Sequence, residues 1–138
     1  MAKWLIKSEP FKWSWDQQVA AGAAGTFWDG VRNHLAKLHL MAMKVGDEAF
    51  FYHSNEGKEI VGICAVIREA YPDPTAEPTE PWVVVDFKAV KPLVQPVTLA
   101  AVKATPALSK MALVTSMRLS VQPVTEDEWA VVCRMGGL

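Results

Sequence analysis

Thr26-Phe27-Trp28-Asp29-Gly30-Val31-Arg32-Asn33 sets an aromatic pair, a turn-forming Asp-Gly, a cation and a carboxamide side by side, just before a helical pattern. Asp-Gly is turn chemistry, because Gly accepts backbone angles closed to other residues. Such a turn can gather an aromatic face, a guanidinium and an amide around one small volume. A flat polar ligand needs those groups: a stacking surface, with donors and acceptors for its edge. The structural alternative makes Phe27 and Trp28 core anchors and Arg32 a solvated surface charge.

Working back from this stretch, Gly22 to Gly25 is a small-residue loop. Ser14-Trp15-Asp16-Gln17 has capping-box spacing and predicts a short helix ending near Gly22. Lys3 to Ser8 reads as a first strand, stopped at Glu9-Pro10 because proline has no ladder donor.

Working forward, the pattern turns helical from Asn33, with Leu35, Leu38 and Ala42 on one face and Met41 beside them. Val45-Gly46-Asp47 ends that helix. Glu48 to His53 reads as a strand and Ser54 to Lys58 as a turn. Ile60 to Ile67 is almost wholly apolar, which predicts a strand covered on both faces. Gly62 within it signals a bulge or a close backbone approach. Prolines at 72, 74, 78 and 81 make Tyr71 to Pro81 a stiff acidic loop. Trp82 to Val90 alternates, with Val83, Val85, Phe87 and Ala89 on one face, as in a half-buried strand.

Thr98 caps another helix, stapled by Val97 and Val102 and interrupted at Thr105-Pro106. Arg118 to Val124 reads as a last strand. Thr125 to Glu128 is a second capping box, opening a final helix that runs to about Met135 and stops at Gly136-Gly137. Short strands mixed with short helices argue against a doubly wound parallel sheet. A small, partly open β-barrel with flanking helices, of the α+β class, fits better.

The 138 residues make one domain, expected to span 1–138, with 51% hydrophobic content to fill a core. Lys and Arg number 14 against 15 Asp and Glu, so the chain is no cationic sheath for a nucleic-acid backbone. Any nucleic-acid contact must then be a local pocket or a small basic rim. Cys64 and Cys133 lie far apart in apolar runs, which favours buried thiols in a reducing compartment. No apolar run reaches membrane-spanning length, and the N-terminus is too short and too charged for a signal peptide. These features predict a cytoplasmic protein, nuclear in a eukaryotic source, with no membrane partner; a monomer is the working assumption.

Catalytic signals are poor. No nucleophile sits in a Gly-x-Ser-x-Gly elbow. His53 and Ser54, adjacent on a strand, would face opposite ways. His34 and His39 are five apart, off one helical face, and no metal-ligand spacing is present. No catalytic residue, metal or cofactor is expected. What recurs is polar residues beside aromatics at strand ends and turns: Lys7-Ser8-Glu9, Trp28 to Asn33, Tyr52-His53-Ser54 and Arg118-Leu119-Ser120. Binding residues concentrate at such places on a rigid scaffold.

Trp4-Leu-Ile-Lys-Ser-Glu-Pro10, Trp28-Asp-Gly-Val-Arg-Asn33, Gly46-Asp47 followed by Phe50-Phe-Tyr-His-Ser54, Tyr71-Pro-Asp-Pro74 and Arg118-Leu-Ser-Val-Gln-Pro-Val124 resemble the EVE domain family, in order and over nearly the whole chain. This family is a branch of the PUA-like superfamily. The resemblance implies a PUA-like barrel and a reader of modified bases in nucleic acid. DNA methylcytosine derivatives are the usual proposal, and fold relatives read methylated RNA bases. It carries pocket roles onto Lys7, Ser8 and Glu9; onto Trp28, Val31, Arg32 and Asn33; onto Tyr52, His53 and Ser54; and onto Arg118, Leu119 and Ser120. Two departures bear on the pocket rim: a shorter loop after Pro74, and Met117 where relatives often carry Ser.

The expected roles follow from chemistry. Trp28 and Tyr52 would stack on an extruded base. Asn33, Ser8 and Ser54 would read its edge. Arg32, Arg118 and Lys7 would meet backbone phosphates or pocket carboxylates, with Glu9 orienting one cation. The partner would be DNA or RNA carrying a modified base. A small-molecule or nucleotide sensor, or a nucleotide-processing enzyme, is the alternative use of the same cavity. An interaction module with a vestigial pocket is a third.

Overall fold

The computed structural model describes residues 1–138. One mixed sheet carries the fold. Its strands are β1 (Lys3–Ser8), β2 (Thr26–Phe27), β3 (Glu48–His53), β4 (Glu59–Pro72), β5 (Val83–Thr98) and β6 (Val121–Val124), in the spatial order β2-β5-β4-β3-β1-β6. β1 and β3 are parallel, and the other neighbours are antiparallel. The class is α+β, with flanking helices as expected. The sheet stays open, with β2 and β6 as its edges.

Alternation along each strand sends side chains to two apolar layers. Ile6, Phe51 and Phe87 join Trp15, Trp28 and Leu40 on one face. Leu5, Phe50 and Ile60 join Leu113, Trp129 and Val132 on the other. A sheet covered twice explains the unbroken apolar run Ala49-Phe50-Phe51-Tyr52. Helices α1 (Trp15–Ala20) and α2 (His34–Ala42) cover the first face. Helices α3 (Leu99–Lys103), α4 (Ala112–Thr115) and α5 (Glu126–Met135) cover the second. Both capping boxes form, at Ser14 with Gln17 and at Thr125 with Glu128. No helix is long and apolar enough to cross a membrane.

Gly62 shows both of its expected features. A Cβ there would lie 2.4 Å from the Trp15 indole. The β4–β5 register also shifts beside it, with Ile60 opposite Val97 and Gly62 opposite Pro92. That shift explains why β5 runs through Pro92 and Pro96, a stretch that did not read as strand. Val94 and Gln95 leave the ladder there and donate their N–H groups to the Gly136 carbonyl. β4 likewise runs on to Pro72, and β6 begins only at Val121, so Arg118 to Ser120 form a lead-in rather than strand.

The α2 reading is corrected. Ala36 and Leu40 are buried, and Met43 just beyond the helix is buried with them, whereas Leu35 is 51% and Leu38 56% exposed. Apolar residues sit on both sides of this short helix, so two faces satisfy helical spacing. The face carrying small Ala36 is the one that packs against the sheet.

Candidate functional site

Topology gathers the site. Because β1 and β3 run parallel, with Ser8 opposite His53, their C-terminal ends stop at the same edge. β6 runs antiparallel to β1, so the residues just before it arrive there too, and the Lys7 amide donates to the Ser120 carbonyl at 3.0 Å. The Ser54 amide donates to the Ser8 carbonyl at 2.9 Å, closing the gap between the two strand ends. The stretch after β2 supplies the far wall, pinned by the Trp28 amide on the Val85 carbonyl at 2.9 Å.

Between these segments lies a cavity of about 780 Å³. Of the thirteen residues singled out from the sequence, Lys7, Ser8, Glu9, Trp28, Val31, Ser54, Arg118 and Ser120 line it. Trp28 does so with little surface: it is 8% exposed and sits edge-on to Phe51 and Phe87, with ring centroids 5.6 and 5.8 Å away.

Five residues lie elsewhere. Asn33 is the N-cap of α2, its Oδ1 accepting from the Ala36 amide at 2.9 Å. Arg32 turns away to pair with Asp73 at 3.0 Å and to lie 5.7 Å over the Trp82 ring. The His53 Nε2 accepts from the Trp15 amide at 3.1 Å, which leaves the ring neutral with its proton on Nδ1. Burial lowers the His53 pKa, against a smaller upward pull from Glu59 and Asp16. Leu119 packs against the core. Tyr52 is buried in the apolar layer on the opposite face from Trp28, so the two expected stacking rings cannot sandwich one base.

The cavity wall also holds residues not singled out as site residues: Lys12, Trp13, Thr26, Phe27, Asp29, Gly30 and Met117. Phe27 is 41% exposed and is the ring most open to a ligand. Strand alternation was the available signal. Two adjacent aromatics on extended backbone face opposite ways, and on the edge strand β2 only the Trp28 side is covered. Lys12 and Trp13 had no such signal. They reach the cavity because their amides both fold back onto the Glu9 carbonyl.

The charges are arranged unevenly. Glu9 is occupied by the Asn55 amide at 2.9 Å and by Lys12 at 3.6 Å. Lys7 donates to the Met117 carbonyl at 2.6 Å, has no acidic partner, and has its pKa lowered by burial. Arg118 is exposed and forms no ion pair. The Ser8 hydroxyl donates to the Trp13 carbonyl, with no base arranged to activate it. The arrangement offers an aromatic face, hydrogen-bonding edges and free positive charge around one open hollow.

Comparison with known proteins places this geometry in a family. A protein from Rhodopseudomonas palustris, solved by NMR, is 68% identical with a TM-score of 0.94, over 99% of this chain and 94% of that one. Thymocyte nuclear protein 1 from Homo sapiens is 38% identical over a gapped alignment of 160 positions that covers 94% of this chain and 71% of the relative. A crystal structure of the human THYN1 protein in complex with 5-methylcytosine-containing DNA is 34% identical with a TM-score of 0.91, covering 100% of this chain and 99% of that one. The EVE domain matches residues 2–135, so this chain belongs to the EVE domain family.

Proposed function

We propose that this chain is a non-catalytic reader that takes a modified nucleobase, of the 5-methylcytosine or another type, out of DNA or RNA into its cavity. The observation that carries the reading is the hollow of about 780 Å³, walled by an exposed Phe27 and rimmed by Lys7, Lys12 and Arg118. Its size falls within the range of sites that enclose small planar ligands, about 300–1,000 Å³. The relative bound to 5-methylcytosine-containing DNA supports the same reading.

The energetics fix what the walls must supply. Extruding a base costs a few kcal/mol. Stacking on Phe27 returns about 1–3 kcal/mol. Ser54, Asp29 and the Gly30 carbonyl read the base edge, and Arg118 and Lys12 meet phosphate. A methyl group adds only about 1 kcal/mol of apolar burial. Discrimination for a methyl mark is therefore about fivefold, and larger only if the plain base leaves a wall group unpaired.

Titration with single- and double-stranded oligonucleotides, methylated and plain, tests the reading. The methylated strand should bind several-fold tighter, most strongly where the base is unpaired. Equal weak binding to every strand would overturn it. Turnover of a free nucleoside would instead favour a nucleotide-processing enzyme.

A further inference from the structure

Beside the main cavity lies a second hollow of about 210 Å³, and Lys7, Ser54 and Met117 line both. The remaining wall is made by Tyr52, Asn55, Lys58, Leu99 and Leu113. Two ammonium groups therefore border a space that contains no carboxylate. Neither Lys7 nor Lys58 is in an ion pair.

The loop that presents Lys58 is unusual. Asn55 (φ 66°) and Lys58 (φ 47°) are the chain's only non-glycine residues in the left-handed region, and Gly57 (φ 85°) lies between them. Asparagine tolerates that conformation; lysine rarely adopts it. Two bonds hold the loop in place: Asn55 to Glu9 at 2.9 Å, and the Leu99 amide to the Lys58 carbonyl at 2.8 Å. A disfavoured backbone over-determined by its surroundings points toward a functional use.

We infer that this hollow seats the phosphate and sugar of the nucleotide next to the extruded base. The phosphate oxygens lie between Lys7 and Lys58, with the Ser54 hydroxyl and Asn55 amide completing the donors. The sugar carbons rest on Leu99, with buried Leu113 behind it. This assignment depends on the main cavity holding the base. The strand carrying that base must leave over a wall, and the wall formed by Lys7, Ser54 and Met117 is the one the two spaces share. Burial lowers the Lys7 pKa, and a phosphate beside the ammonium opposes that by favouring its charged form.

Lys58→Gly is the discriminating variant, because it removes the ammonium while relaxing the backbone. Deoxyribose 5-phosphate, titrated against backbone amide NMR signals, should give saturating shifts at Ser54 to Glu59 in the native chain. K58G should bind it at least tenfold more weakly while unfolding at no lower denaturant concentration. In parallel, adding one neighbouring nucleotide to 5-methyldeoxycytidine should tighten binding about tenfold in the native chain. K58G should lose that gain and keep its affinity for the bare nucleoside. The inference is overturned if K58G retains the gain, or if the sugar phosphate shifts other amides. If the sugar phosphate binds at Ser54 to Glu59 but no nucleoside binds anywhere, the phosphate seat stands and the base-reading role falls.

Discussion

Phe27 and Trp28 are neighbours in the chain with opposite fates. Phe27 sits opposite Asp86 on the edge of the sheet and turns its ring to the cavity. Trp28 turns inward onto Phe51 and Phe87. Truncating each should separate stability from binding. Trp28→Ala opens a void in a packed aromatic cluster and should cost about 3–5 kcal/mol. Phe27→Ala loses a largely solvated ring and should change stability by less than about 1 kcal/mol. It should nevertheless weaken oligonucleotide binding by the worth of one stacking contact, about 1–3 kcal/mol. Denaturant unfolding and titration of both variants check the pair; the reverse assignment would make Trp28 the stacking residue after all. The sequence marked this aromatic pair as special without saying which ring faces out. That depends on β2 pairing with β5, a partner some sixty residues away. Arg32 was legible as a cation, but its target, Asp73, was hidden for the same reason.

Among the elements, the connection that matters most to the cavity runs from the end of β4 to the turn after β2. Buried Asp73 accepts from the Gly30 amide at 3.2 Å and from Arg32 at 3.0 Å, and its other oxygen takes the Thr75 amide and hydroxyl. Burial pushes the Asp73 carboxyl up, but these bonds outweigh it and hold the group below its ordinary value. Because the folded pKa is depressed, the stabilisation is complete above the unfolded value of about 3.9. It is lost as pH falls through the lower folded value. Asp73→Asn should therefore cost about 1–3 kcal/mol at pH 7, with only a small share from half-exposed Arg32. The deficit should shrink toward zero below about pH 4. Urea unfolding of both proteins from neutral to acid pH tests this, and a deficit independent of pH would exclude the charged clamp. Capping boxes and strand alternation made the helices and strands legible, because those signals are local. The clamp joins residues 43 apart, and the buried face of α2 was decided by the sheet rather than by the helix.

At the scale of the whole molecule, near-neutral charge and a cationic rim have to be reconciled. The formal net charge is −1, so long-range attraction to a polyanion is weak. Parallel pairing of β1 with β3, and antiparallel approach of β6, nevertheless collect Lys7, Lys12, Lys58 and Arg118 around one end of the sheet. Composition revealed the balance, which leaves only a local site for any nucleic-acid contact. It could not reveal that pairing order, on which the clustering depends. Four cations, one of them shared with Glu9, can neutralise about two or three phosphates. For a single strand, log K should then fall against log salt with a slope of about −1.5 to −2. Raising salt from about 50 to 200 mM should weaken binding about tenfold. A cationic sheath making six to ten phosphate contacts would lose about a thousandfold or more over the same range. Titrations at four or five salt concentrations distinguish the two. A steep slope would mean that scattered surface lysines hold the strand, whereas a shallow one leaves base and edge contacts in the cavity to provide most of the affinity.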